Sequence, residues 1–531
     1  MLHQTSSADG APAVGPTGSP ASISSGDPTG LPASALAGGR AQATAPADRP
    51  LPFLRQLAYG LGDFGSNYSW TFVASFVMFY LTTVVGLSAA VLGTLMLVAR
   101  FLDGITDIMI GGLIDRTHSR MGKARPWLFW STFPLAISQV MLFCVPSGLP
   151  ENGKYAWVFV SYLLLGAFFY TASNISYNTL VSLATRHQQS RVSMGSIRFI
   201  CALSAGLVLN STTPALVQAL GGGAAAWSVL AGIYSLIFAV FTLITVFGVR
   251  ELVTEEEREA AQSASPRTST PPSEVSSAIP TTEADTSNAQ AAAATTPVLA
   301  SLGLLVRNRY FIIMLALFLV TYIASGLAQT AGIYFATYVL GNANLLGPIS
   351  LASMVPTVAV LALTPQLNKR YSMRAVCLAG SCVSLVGAAV AYAFSTNLTL
   401  LLIGLALSAM GSAPLIGTMY AFVAATAEYA LLRFSVKMEG VVYSCCSVGL
   451  KLGTGLGTAA LGWLLAAGGF VNGATTQSES ALTAISTSYL LVPLLLAALR
   501  IPLLWALDVE KTNERLRSEQ TQAPATIPSA H

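Results

Sequence analysis

Residues 87–126 read LSAAVLGTLMLVARFLDGITDIMIGGLIDRTHSRMGKARP. Up to Leu113 the stretch is apolar and longer than the roughly 20 residues a helix needs to cross a bilayer. It is interrupted by Arg100, Asp103 and Asp107, and a loop with Arg116, Arg120, Lys123 and Arg125 follows it. A charge within a span costs about 2.5–3.5 kcal/mol on insertion scales and marks function by default. Clustered Arg and Lys beside a span mark the cytoplasmic side. This one stretch therefore implies a membrane helix, its orientation and a charged site within it.

The rest of the chain agrees. Of its 531 residues, 53% are hydrophobic and 9% charged, against about 25% charged in a soluble globular chain. Most of the protein must therefore face lipid, which excludes a soluble enzyme, a nucleic-acid-binding module and a disulfide-rich secreted domain. A net charge of +4 is too small to suggest a polyanionic partner. Cys144, Cys201, Cys377, Cys382, Cys445 and Cys446 all lie in apolar stretches and read as small hydrophobes. His3, His118, His187 and His531 fall in tails or polar loops, so no haem, metal site or histidine relay is expected and no cofactor is implied.

Residues 1–49 are rich in Ala, Ser, Gly, Pro and Thr, and no cleaved signal peptide is expected there. This composition cannot bury enough surface to offset its ordering entropy, so 1–50 reads as a disordered tail. Residues 251–297 read as a disordered linker of similar character, and 509–531 as a polar tail. Twelve apolar runs lie between, at about 57–83, 87–113, 126–147, 155–182, 192–217, 226–249, 310–339, 346–366, 373–395, 398–427, 437–467 and 482–507. Six fall in 51–250 and six in 298–508. Arg186 and Arg191, Arg307 and Arg309, Lys369, Arg370 and Arg374, and Arg433 and Lys437 occupy loops on the same side as Arg116–Arg125. The alternate loops carry only Glu151, Lys154 and Glu479. Both termini and the central linker are therefore expected in the cytoplasm. The loop Asp115–Lys123 has a fainter echo in Asn368–Arg374, at the matching place of the second half. That suggests two parallel repeats.

At about 100° per residue, Arg100, Asp103 and Asp107 share a helical sector of roughly 60°. Two carboxylates at this spacing cannot both ionise cheaply without a cation. They suit a proton or a small cation such as Na⁺, with Thr106 and Thr171 as candidate oxygen ligands. The plainer reading is a structural pair of Arg100 with one carboxylate, which leaves the other unpaired. Arg198 in span 5 and Lys451 in span 11 have no acid at their own depth on their own helices. Each needs a carboxylate from another helix or an anionic ligand. Arg198 also lies near enough to the cytoplasmic side to snorkel.

Span 1 supplies Gly60-Leu-Gly62-Asp63-Phe-Gly65-Ser66-Asn67-Tyr68-Ser-Trp70, and span 4 supplies Tyr170-Thr171-Ala-Ser173-Asn174-Ile-Ser176-Tyr177-Asn178. Both are too polar to face lipid. Asn67, Trp70, Tyr170, Asn174 and Tyr177 offer amides, hydroxyls and flat faces suited to a sugar ring, the alternative being a polar helix seam. Gly449, Gly453 and Gly457 recur every four residues and read as a close-packing stripe.

Together these segments resemble the glycoside–pentoside–hexuronide:cation symporters, a branch of the major facilitator superfamily that includes the melibiose and glucuronide permeases. The matching residues are Tyr59–Asn67, Leu97–Asp107, Asp115–Pro126 and Lys437-Met-Glu439-Gly with Lys451. The resemblance runs from about residue 55 to 510. It implies an all-α membrane protein of twelve transmembrane helices in two six-helix halves, working by alternating access. It implies that Asp103 and Asp107 form the cation site, that Thr171 assists, and that Lys451 lies near both ligands. Asn67 and Asn174 stand where melibiose permease holds sugar with aspartates, and the glucuronide branch is similar in having asparagine at both. Its start to span 7 resembles Arg307-Asn308-Arg309. Thr106 replaces an asparagine ligand of the Na⁺-using relative. Of the acids common before span 11, Glu428 is kept while Ala425 and Leu431 replace others, so Arg100, Glu428, Lys437 and Glu439 are the coupling and gating candidates.

The expectation is a monomeric inner-membrane symporter, not an enzyme, that imports a sugar or glycoside with H⁺ or Na⁺. A hexuronide or glucuronide is favoured because Arg198 and Lys451 remain while two acids are absent, with a neutral glycoside as the other choice, since Asn67 and Asn174 equally suit its hydroxyls. The alternative is a facilitator that exports a drug-like or lipid-like substrate, which would favour a more apolar pocket.

Overall fold

The computed structural model describes residues 50–117, 119–185, 187–252, 307–434 and 439–522. The chain divides into two units, Met1–Ala45 and Pro46–His531, and the described residues all belong to the second. Among them there is no strand. The helices are α1 (Phe53–Thr83), α2 (Ala89–Asp115), α3 (Arg125–Leu142), α4 (Glu151–Ala184), α5 (Gln188–Ala219) and α6 (Ala224–Gly248). Then come α7 (Arg309–Val339), α8 (Leu346–Arg370), α9 (Met373–Ala393), α10 (Leu398–Phe434) and α11 (Glu439–Ala467). Helix α12 runs from Glu479–Ser486 through a wide turn at Thr487–Leu491 into Val492–Ala506, and α13 is Val509–Gln522.

Among the described residues, ten helices are long and apolar enough to cross a membrane. The sequence count of twelve also takes in α1, which carries Arg55, Asp63 and a run of Gly, Ser and Asn, and α3, which begins with Arg125 and has 18 residues. Neither reaches the same apolarity over its length. Both are nonetheless continuous helices packed among the others.

Helix α1 packs on α5 and α6, and α3 on α6; in the second group α7 packs on α11 and α12, and α9 on α12. Contacts between the groups run α2 to α11, α5 to α8 and α1 to α7. Lipid offers little hydrophobic drive for helix association, so small residues that permit close approach carry the packing. On α11 a Cβ at Gly457 would meet the backbone of Ile323 and Leu327 on α7. The glycine stripe read from sequence is thus the α7–α11 seam. An aromatic cluster of Phe72, Phe76, Tyr80, Phe143 and Trp227, each at most 3% exposed, fills the first group near the C-terminal end of α1 and the N-terminal end of α6.

Two boundaries differ from the sequence reading. Glu251, taken as the first linker residue, is 1% exposed. Its carboxylate accepts from the backbone N–H of Lys123 (2.8 Å), Ala124 (3.0 Å) and Arg125 (3.0 Å) at the start of α3. A helix N-terminus presents unpaired donors and positive potential, and one acid from beyond α6 satisfies both. Gly122 makes room with φ +103°, and a Cβ there would collide with that carboxylate. Arg125 closes the clasp by donating to Val246 O at 2.8 Å. The second group repeats the device: Glu510 accepts from Arg374 N at 3.1 Å, and Arg374 donates to Leu504 O at 3.2 Å. The second correction follows, because 509–522 is not a bare tail. It forms α13, where buried Asn513 donates to Ala425 O on α10 at 2.8 Å. The polar composition of 509–522 hid a helix whose docking rests on hydrogen bonds. The readings of 1–49 and 253–297 as disordered lie outside the described residues.

Candidate functional site

Helix α2 carries the charged face, and helices α4 and α11 complete it. Thr171 follows directly on a wide turn at Leu164–Tyr170 in α4, a feature that re-aims the residues after it. Its hydroxyl donates to Asp103 Oδ1 at 2.7 Å. Lys451 Nζ lies 3.0 Å from the same oxygen and is also ion-paired with Asp107 Oδ2. Arg100 reaches Asp103 Oδ2 at 3.4 Å. The Asp103 side chain is 6% exposed and that of Asp107 28%, so the pair has a dry end and a wetter one. Thr106 turns away from the carboxylates and donates to the backbone O of Asp103 at 3.0 Å. The Arg100 guanidinium lies over the Trp70 ring at 4.1 Å, and Trp70 stacks on Tyr170 at 4.5 Å.

A second charged group lies on α1, α4 and α5. Arg198 Nε is 3.1 Å from Asp63 Oδ2, and another of its nitrogens donates to Asn178 Oδ1. Asp63 is thus the carboxylate from another helix that Arg198 required. Its signal was present in the sequence as a charge inside span 1, the criterion that singled out Arg100, but Asp63 was not taken as a site residue. Asn67 donates to Asp63 O at 2.9 Å and accepts from Thr71 at 3.3 Å. Asn174 accepts from Asn178 at 3.2 Å. Tyr177 is buried, stacked on Tyr59 at 4.5 Å with its hydroxyl donating to Tyr59 O at 2.6 Å, and Arg198 lies over its ring. The two groups hold Arg100, Arg198 and Lys451 against Asp63, Asp103 and Asp107, three cations against three anions.

The gating candidates separate. Glu428 is paired with Arg517 of α13 and lies 3.5 Å from Asn513. Lys437 and the side chain of Glu439 lie outside the described residues. At the end carrying loops 84–88 and 468–478 the two helix groups are tied together. Thr82 and Tyr334 share a 2.7 Å hydrogen bond, Gly473 N donates to Thr82 O at 3.1 Å, and Thr330 donates to Ala74 O at 3.3 Å. Beneath this seal a cavity of about 40 Å³ is lined by Trp70, Arg100, Gln329, Thr330, Thr454 and Thr458. That volume is enough for water and too small for a sugar ring. These α7 and α11 polar residues escaped the sequence reading, because single threonines in an apolar run carry no pattern. Further from this seal, the Lys451 bridge ties α11 to α2.

A family model described as MFS/sugar transport protein matches residues 58–274 and 271–511. The isoprimeverose transporter of Lactiplantibacillus pentosus is 29% identical over 482 residues, covering 90% of this chain and 92% of its own. The putative glycoside/cation symporter YagG of Escherichia coli K12 is 26% identical over 454 residues, covering 83% and 89%. Among solved structures, the xylose transporter XylE from E. coli matches with a TM-score of 0.56 at 15% identity, covering 88% of this chain and 99% of that one. That last likeness is one of fold. This multi-pass membrane protein is a transporter rather than an enzyme, and it belongs to the MFS/sugar transport protein family, within the glycoside–pentoside–hexuronide:cation symporters.

Proposed function

We propose that the chain imports a neutral glycoside with a monovalent cation, through twelve spans in two six-helix halves whose termini and central linker are cytoplasmic. The observation that carries this reading is Lys451. Its ammonium, on α11, occupies the place between Asp103 and Asp107 on α2 that a transported cation would take. A cation arriving at the carboxylates releases the ammonium and loosens the tie between the halves. Sugar binding between the halves then favours the rearrangement, which is coupling in the required sense.

The cation is H⁺ on this reading. Among the described residues Thr171 is the one hydroxyl from another helix that donates to Asp103, and Thr106 donates to a backbone carbonyl rather than to either carboxylate. Na⁺ needs several oxygens to replace its water, whereas a proton needs one carboxylate and relieves the repulsion of the pair.

Charge balance favours a neutral substrate over the hexuronide expected from sequence. A sugar carboxylate leaving water needs a cationic partner, and each site cation already has a carboxylate. A hexuronide remains the second reading because the Arg198 side chain is 30% exposed and Asn67 and Asn174 add no negative charge. Competition between matched glucosides and glucuronides, in wild type and Arg198→Gln, tests the choice. The neutral reading predicts that the glucoside binds better in wild type. A glucuronide that binds better, and loses more affinity in the variant, selects the hexuronide.

A further inference from the structure

Tyr420 on α10 and Tyr443 on α11 hold their rings parallel, 7° apart in plane with centroids 6.3 Å apart. They are 47% and 39% exposed. Neither phenol makes a hydrogen bond among the described residues, so two donor–acceptor hydroxyls and two aromatic faces stand free.

Their surroundings place them on the inner side of the helix group. The Tyr420 ring packs edge-on against fully buried Phe318 of α7, with centroids 5.9 Å apart. The pair is therefore bounded by α7, α10 and α11. On α11, Tyr443 precedes Lys451 by eight residues, about 80° around the helix and about 12 Å along it. It stands about two turns further from the seal than Lys451, on the helix from which Lys451 reaches Asp103 and Asp107. On α10, Met410, Gly411 and Pro414 line a groove against α8 and α9, and they lie about 80–180° around the helix from Tyr420.

We propose that Tyr420 and Tyr443 form a second-ring subsite that takes the distal pyranose of a disaccharide. The inference rests on the glycoside reading above and deepens it by naming a two-ring substrate class. A monosaccharide held at the level of Lys451 leaves the tyrosines uncovered, because the helical rise of about 12 Å from Lys451 to Tyr443 exceeds the span of one pyranose. A second ring reaches them. Its C–H face meets the negative face of the aromatic rings, and its hydroxyls meet the free phenols.

The test is calorimetric titration of the full-length protein in lipid nanodiscs. The ligands are isoprimeverose, cellobiose, maltose and melibiose, with glucose, xylose and galactose as single rings. Wild type is expected to bind at least one disaccharide about ten-fold more tightly than its component sugars. Tyr420→Leu and Tyr443→Leu should each weaken that disaccharide by about ten-fold and leave the monosaccharides unchanged. Should the leucine variants not fold, Tyr420→Phe and Tyr443→Phe keep the rings and should weaken the disaccharide alone, by about three-fold. Equal losses for one and two rings, or disaccharide affinity unchanged in the variants, overturns the subsite. So does a wild type that binds single rings as tightly as every disaccharide. A wild type that binds no sugar of either kind overturns the glycoside reading itself, and the subsite with it.

Discussion

Lys451 Nζ sits 3.0 Å from Asp103 Oδ1 and is also paired with Asp107, so one ammonium from α11 answers two carboxylates on α2. Removing one partner of a buried pair leaves an uncompensated charge, a cost of about 3–5 kcal/mol when burial is complete. The Lys451 side chain is 19% exposed, which reduces that figure.

Lys451→Met is therefore expected to destabilise the protein by about 2–3 kcal/mol. Adding Asp107→Asn removes the orphaned charge and should restore at least part of the loss. Thermal unfolding of both variants in detergent checks this. A double variant less stable than Lys451→Met would show that the two residues do not act as a pair.

The choice of cation is read from the driving gradient. With few neutral oxygens around Asp103, accumulation should be lost when a protonophore collapses the proton gradient. Replacing Na⁺ by K⁺ at constant pH should leave it intact. Strong stimulation by Na⁺ would reverse the assignment.

The Glu251 clasp is a stability device. Three backbone N–H groups at the start of α3 lose their acceptor in Glu251→Ala, a cost on the order of 2–3 kcal/mol. Glu251→Gln keeps one acceptor oxygen and should lose less. Unfolding temperatures of the two variants give the order, and the reverse order would remove the charge from the explanation.

Much of this was legible in the sequence, because lipid imposes simple rules. Long apolar runs gave helices whose ends fall within about four residues of the expected ones at most boundaries. Charges inside a span drew attention to Arg100, Asp103 and Asp107. What was missed depends on partners far apart in the chain. Asp63 shows in the sequence only as a charge inside a span, and its pairing is hidden because Arg198 is 135 residues away. Glu251 looked like the first of several linker acids, since nothing local reveals three donors waiting 126–128 residues earlier. The wide turn at Leu164–Tyr170 has no composition of its own, yet it precedes the threonine that meets Asp103. The charge balance behind the substrate choice is the least legible part, because the carboxylates that answer Arg198 and Lys451 lie on other helices.

The central claim is that the carboxylate pair couples cation entry to sugar accumulation. The direct measurement compares uptake of the bound glycoside into membrane vesicles by wild type and Asp103→Asn under an imposed proton gradient. Asp103→Asn cannot exchange its proton, so the account predicts that wild type accumulates the sugar above the external concentration while the variant only equilibrates it. Accumulation by Asp103→Asn to the wild-type level would contradict it.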